Sequence, residues 1–269
     1  MEVGTKLPPF EPGHLDETIA KVAAAGINCV EIWIEDPETD PDLLAAGPAA
    51  FARRLADAGL RVNSVHARWG TEYDFASPEA AVRERGIEAG LHAAQVIAAM
   101  GGGRVVLHPS AACPEEEHAE RAARCRDSLG QLARRCEGLP ATLALENMHA
   151  NFMGDRSQDL LACTDGLDPQ RVGFCFDTGH AHWSQEGIAL GAAMKGRMFT
   201  VHLHDNHGVR DEHLLPFDGA IDWRALARVL DEAGYTGPYV IEAGSPSWDE
   251  VVARARSVVE RLHALREAR

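Results

Sequence analysis

Eight short runs rich in valine, isoleucine, leucine and phenylalanine recur along this chain, with helix-like stretches between them. The runs fall at 28–34, 61–67, 104–109, 142–147, 172–178, 198–205 and 239–243, after a weaker first one at 2–6. At roughly four to eight residues each, they have the length and near-continuous apolarity of strands buried on both faces of a parallel sheet. The intervening stretches predict helices at 14–25, 41–58, 78–100, 114 to about 138, 157–163, 186–195, 223–233 and 248–267. Pro41, Pro78 and Pro114 sit at predicted starts, and Gly26, Gly59, Gly101, Gly138 and Gly234 just past predicted ends. That is the asymmetry expected of helix termini. Eight units over 269 residues give about 34 residues each, which matches a (β/α)8 TIM barrel. A doubly wound open sheet fits less well, because the first strand runs into Pro8-Pro9-Phe10 and not into a glycine-rich phosphate turn. No linker or composition break divides the chain, so a single barrel domain over 1–269 is expected.

Composition narrows the function. The chain is 45% hydrophobic and 25% charged, which excludes a disordered polymer. No apolar run approaches the roughly 18 residues of a membrane span, and the N-terminus lacks the pattern of a signal peptide. The six cysteines form no CxxC pair and read as free thiols of a reduced, cytoplasmic protein. The net charge of −15 opposes general binding to nucleic acid or anionic membranes.

The strand ends carry the chemistry. The third ends at His66, the fourth at His108 and the fifth at Glu146. The sixth ends at Asp177 with His180 three residues on; the seventh carries His202, His204 and Asp205, and the eighth ends at Glu242. In a barrel these ends ring one mouth, where active sites are built. Carboxylates and imidazoles crowded there repel one another and lose solvation, and a divalent cation removes that cost. The mixed oxygen and nitrogen set suits Mn, Co, Zn or Mg without choosing among them.

LEN at 145–147, FDTGH at 176–180, VHLHDN at 201–206, RDEHLLPFDG at 210–219 and IEAG at 241–244 resemble the xylose isomerase-like barrel superfamily. This is the sugar-phosphate isomerase/epimerase group, to which trinuclear-zinc apurinic-site endonucleases are related. The resemblance runs from GINCVEI at 26–32 to the last strand. It implies that Glu146, Asp177, His202 and Glu242 hold a central metal. It implies that His180 contacts substrate or, with Asp211 and His213, holds another metal. His66 and His108, with the shared Glu146, would hold a third. One departure is plain: relatives often show PGEG where this chain has Pro216-Phe217-Asp218-Gly219, so Phe217 is expected to reshape a pocket wall.

The implied reaction is isomerisation or epimerisation of a small sugar, keto-sugar or polyol, by removal of a proton next to a carbonyl. Glu146 and Glu242, from strands three apart, suit opposed proton transfers. Dehydration of an inosose-type polyol would begin the same way. Metal-assisted hydrolysis of abasic DNA is the alternative. The acidic 35–42 loop and a total of three lysines oppose it. Trp33 and Trp69 are candidates to stack on a sugar, and Arg68, Arg156 and Arg210 to meet a phosphate if the sugar carries one. Asn147 is expected to support the metal ligands, with His204 and His207 either doing likewise or facing helices. A homo-oligomer is compatible with the pattern, which does not demand one.

Overall fold

A computed structural model describes residues 2–7, 14–34, 47–244 and 247–267. Its eight parallel strands close into a barrel in chain order. They are β1 (Val3–Lys6), β2 (Cys29–Trp33), β3 (Arg61–His66), β4 (Gly103–Leu107), β5 (Ala141–Glu146), β6 (Val172–Asp177), β7 (Met198–Leu203) and β8 (Tyr239–Ile241). Closure is made by β8 against β1, with Val3 beside Tyr239. The helices among the described residues are α1 (Leu15–Ala24), α2 (Pro48–Asp57), α3 (Ala80–Ala99), α4 (His118–Arg135), α5 (Ser157–Thr164), α6 (Thr178–Trp183), α7 (Gly187–Ala193), α8 (Trp223–Glu232) and α9 (Trp248–Glu267). The expected barrel and every expected strand are present.

Three differences from the expected elements have local causes. The helix expected over 41–58 is seen as α2, which has proline in its first turn; residues 41–46 lie outside the described residues. The strands at 104–109 and 239–243 stop early, which leaves His108 and Glu242 just past their ends. The strand expected to run through Thr178 ends at Asp177, whose side chain accepts the backbone N–H of His180 at 2.7 Å and starts α6. A carboxylate that caps a helix can end a strand without any glycine or proline.

The main core lies between the sheet and the helices, where Phe51, Leu55, Ile87, Ile97, Leu129 and Leu132 are fully buried. Val106, Ala144 and Cys175 form a small separate apolar plug, with Phe199 packed against it. Above it the interior turns polar, with Thr5, Glu31, Ser64, Glu146 and His202 all buried. All six cysteines are free, and burial pushes the Cys29 thiol up to about 12. Among the described residues no helix is long and apolar enough to cross a membrane.

Helices α3 and α4 approach closely at Gly90, where a Cβ would come within 2.6 Å of Leu132 Cδ2. The absent side chain weakens α3 by about 1 kcal/mol and lets Leu132 seat against it. Leu132→Ala is expected to lower stability by about 2–5 kcal/mol in urea unfolding, because the barrel cannot collapse around the cavity.

Candidate metal centre

The parallel register brings four strand-end groups to one point. One donor atom from each of Glu146, Asp177, His202 and Glu242 lies within 4.8 Å of the others, and all four residues are buried. His202 Nδ1 is 3.0 Å from Glu146 Oε1, 2.7 Å from Glu242 Oε2 and 3.9 Å from Asp177 Oδ2. Its other nitrogen, Nε2, donates to Glu31 Oε2 at 3.0 Å. In the neutral ring that leaves the Nδ1 lone pair facing carboxylate oxygens, an arrangement that needs a proton or a metal ion between them. Glu242 Oε2, 2.7 Å from Nδ1, and the second Glu146 oxygen, Oε2, are both buried without a hydrogen bond. The donor set and its orphaned oxygens fit a divalent cation.

Glu31 is the residue that the strand-end reading missed. Besides His202 it accepts from Ser64 Oγ at 2.6 Å and from Trp33 Nε1 at 2.9 Å. Burial raises its pKa, but the facing imidazoles of His202 and His66 outweigh this and keep it ionised. The β2–β3 register shifts between Val30 and Glu31, and such a bulge re-aims a side chain next to a site. The signal was available: Glu31 is the one charged residue in an apolar run, in phase with Trp33 and out of phase with Val30 and Ile32.

The other expected positions converge as well. His66 Nε2 and His108 Nε2 lie 3.4 and 3.2 Å from Glu146 Oε2. His180, Asp211 and His213 form a further group, and His204 joins it. His213 Nε2 is 2.8 Å from Asp211 Oδ2, with His180 Nε2 3.4 Å from the same oxygen. Fully buried His204 bridges the two groups. Its Nε2 is 3.0 Å from Asp177 Oδ2, and its Nδ1 faces Asp211 Oδ1 at 3.7 Å, both of these last atoms lacking hydrogen bonds. Gly179 makes room, since a Cβ there would overlap the His204 ring. Burial lowers the pKa of His180, yet Asp177, Asp211 and Glu146 overcome it and push it up to about 10. His213 reaches about 9 against the same burial, through Asp211 and Glu242, and Asp211 is held well below the usual carboxylate range. Asn147 supports the centre through backbone contacts, donating to Asp177 O at 3.0 Å and accepting from Asp177 N at 2.8 Å.

Asp211 and His213 ride on a loop, not a strand, and Asp205 fastens it. Its Oδ1 accepts from Asn206 N and Ile221 N, and its Oδ2 from Phe217 N and Trp223 Nε1, at 2.7–3.1 Å. Phe217 takes a left-handed backbone (φ 76°), a conformation natural to glycine. Contrary to expectation its ring does not shape the pocket; it packs on Trp223 and under Arg261. Arg210 also departs from expectation. Its side chain is 75% exposed and drawn outward onto Glu212. His207 is exposed on the same glutamate, Arg156 pairs with Glu115, and Arg68 turns to Tyr73.

A cavity of about 170 Å³ opens over the cluster. Glu146, Asp211 and Glu242 line it together with Trp33, Trp69 and Phe152. Trp33 and Trp69 meet edge to face at 4.9 Å. A larger groove of about 830 Å³ lies on the outer surface between α6, α7 and α8, away from this chemistry.

Glu146→Gln and His202→Ala are each expected to abolish bound metal, measured by elemental analysis, with an unchanged circular dichroism spectrum. Glu31→Gln should weaken metal affinity about 10–100-fold in equilibrium dialysis, because His202 loses its charged acceptor.

Residues 19–268 match the family model described as xylose isomerase-like TIM barrel. The L-ribulose-5-phosphate 3-epimerase UlaE of Escherichia coli O17:K52:H18 is 27% identical over 217 residues, covering 78% of this chain and 75% of that one. A solved D-tagatose 3-epimerase-like protein superposes with a TM-score of 0.83 at 21% identity, covering 99% and 98% of the two chains. The IolI protein, solved with a zinc atom, gives 0.81 at 17% identity over 99% and 98%. The strand order, the strand-end groups and the match over nearly the whole length together place this chain in the xylose isomerase-like TIM barrel family.

Proposed function

We propose that this protein is a divalent-metal-dependent epimerase or isomerase of a small sugar or keto-sugar, with Glu146 and Glu242 as the proton-transferring residues. One observation carries the reading. Two buried glutamates from β5 and the end of β8 both line the cavity, and each keeps one oxygen without a hydrogen bond. A divalent cation held by Glu146, Asp177, His202 and Glu242 would supply Lewis-acid polarisation of the substrate carbonyl. One glutamate then removes the proton beside that carbonyl, and the other returns a proton to the opposite face. Transfer from two sides gives epimerisation; return to a neighbouring carbon from one side gives isomerisation. The names of the relatives, 3-epimerases of keto-sugars and their phosphates, support the first outcome. The aromatic wall of Trp33, Trp69 and Phe152 offers an apolar face to a sugar ring and limits water beside the glutamates.

The endonuclease alternative has the same nine positions filled, with His66, His108, His180, Asp211 and His213 added to the four above. Acidic residues and tryptophans around the mouth give a duplex backbone no counter-charge. No incision of abasic duplex DNA is expected at physiological salt.

Metal-loaded enzyme in deuterium oxide is expected to exchange solvent deuterium into the carbon beside the carbonyl of its substrate. Glu146→Gln and Glu242→Gln should each lower kcat about 10²–10⁴-fold. Metal-loaded Glu242→Gln with unchanged exchange and turnover would remove that residue from the reaction.

A further inference from the structure

Resting on that reading, we propose that the site takes an unphosphorylated sugar of monosaccharide size and rejects the corresponding sugar phosphate. A terminal phosphate is a dianion, and proteins meet it with arginine or lysine, or with free backbone N–H groups at a helix start. Among the described residues no lysine or arginine lines the cavity, and the helix starts after β7 and β8 carry their own acceptors.

No lysine or arginine lines the cavity among the described residues. In the sequence, the stretches 8–13, 35–46 and 245–246 contain no lysine or arginine, and they include the acidic Glu11, Glu35, Asp36, Glu38, Asp40 and Asp42. The remaining strand-end loops carry three arginines. Arg68 donates to Tyr73 and faces a separate groove beside α3. Arg156 is paired with Glu115 and Arg210 with Glu212. Lys6, which ends β1, lies over the Trp33 ring.

The usual phosphate cup of such barrels, the helix starts after β7 and β8, is filled by the protein itself. Asp222 accepts the backbone N–H groups of Arg224 and Ala225 at the start of α8. At α9, Ser247 Oγ accepts from Glu250 N, and Asp249 and Glu250 occupy the first turn. The imidazoles in the cavity face acceptors of the protein itself. His213 is held by Asp211 and Glu242 O, and His180 by Asp211 and Asn147 O. His66 Nε2 and His108 Nε2 face Glu146 Oε2 at 3.4 and 3.2 Å, and His149 Nδ1 lies 3.1 Å from Ala150 O.

What the cavity offers instead is aromatic side chains together with carboxylates, a mixture that suits a ring or chain of hydroxyls. Its volume of about 170 Å³ is below the roughly 300 Å³ at which pockets for drug-sized ligands begin. With no lysine or arginine among its described lining residues, this site lacks the side chains that usually grip a phosphate dianion, although a sugar-phosphate epimerase is among the chain's relatives.

The test uses the full chain loaded with Mn²⁺ and three matched pairs: L-ribulose and its 5-phosphate, D-tagatose and its 6-phosphate, D-fructose and its 6-phosphate. Deuterium exchange beside the carbonyl should favour the free sugar of at least one pair by 100-fold or more in kcat/KM, with no ester ahead of its sugar. Trp69→Ala should raise KM for that sugar about 10-fold with kcat within 3-fold, as expected for loss of a stacking surface alone. An ester exchanged as fast as its sugar, or faster, overturns this proposal and leaves the proton-transfer reading standing. Exchange with no pair sinks the proton-transfer reading. In that case calorimetric titration decides the present one: a free sugar bound at least 10-fold more tightly than its ester sustains it. Tighter binding of the ester, or binding of neither, overturns it.

Discussion

The site depends on a single imidazole packed among four acids. His202 is tied through one nitrogen to Glu31 and faces Glu146, Glu242 and Asp177 with the other. In a low-dielectric interior such a cluster is stable only if its negative charge is balanced. Protons on the imidazoles balance it in one state, as the raised His180 and His213 indicate. A divalent ion would balance it in another, exchanging with those protons. The barrel supplies the geometry for either state, because neighbouring parallel strands deliver their ends at one height and the polar interior begins above a thin apolar plug.

Much of this was legible from residue order alone. The series His66, His108, Glu146, Asp177, His202 and Glu242, at or just past successive strand ends, pointed to one barrel mouth, and the closed sheet brings them together. The parts that escaped are those that depend on side-chain direction. Glu31 sits one register step inside its strand and turns inward through a bulge, which no strand-end inspection detects. The start of α6 was hidden because Asp177 serves at once as strand end, helix cap and candidate ligand. Arg210 and Phe217 were assigned inward directions by their neighbours in sequence. Glu212 draws the first out, and Trp223 with Arg261 holds the second away.

Charge also separates chemical class from family membership. A fold shared with a family does not by itself name a substrate; the side chains around the cavity bear on that. Here they include indole, phenyl and carboxylate groups, and among the described loops Arg156 and Arg210 are paired with Glu115 and Glu212.

The carboxylate of Asp205 has a longer reach than its position suggests. Its bonds to Phe217, Ile221 and Trp223 clip together the two ends of the segment that carries Asp211 and His213. Divergence can rewrite the span between the two clip points, trading one selectivity for another, while the strand-borne half of the centre stays untouched. Chimeras between family members therefore have a natural seam at these two residues.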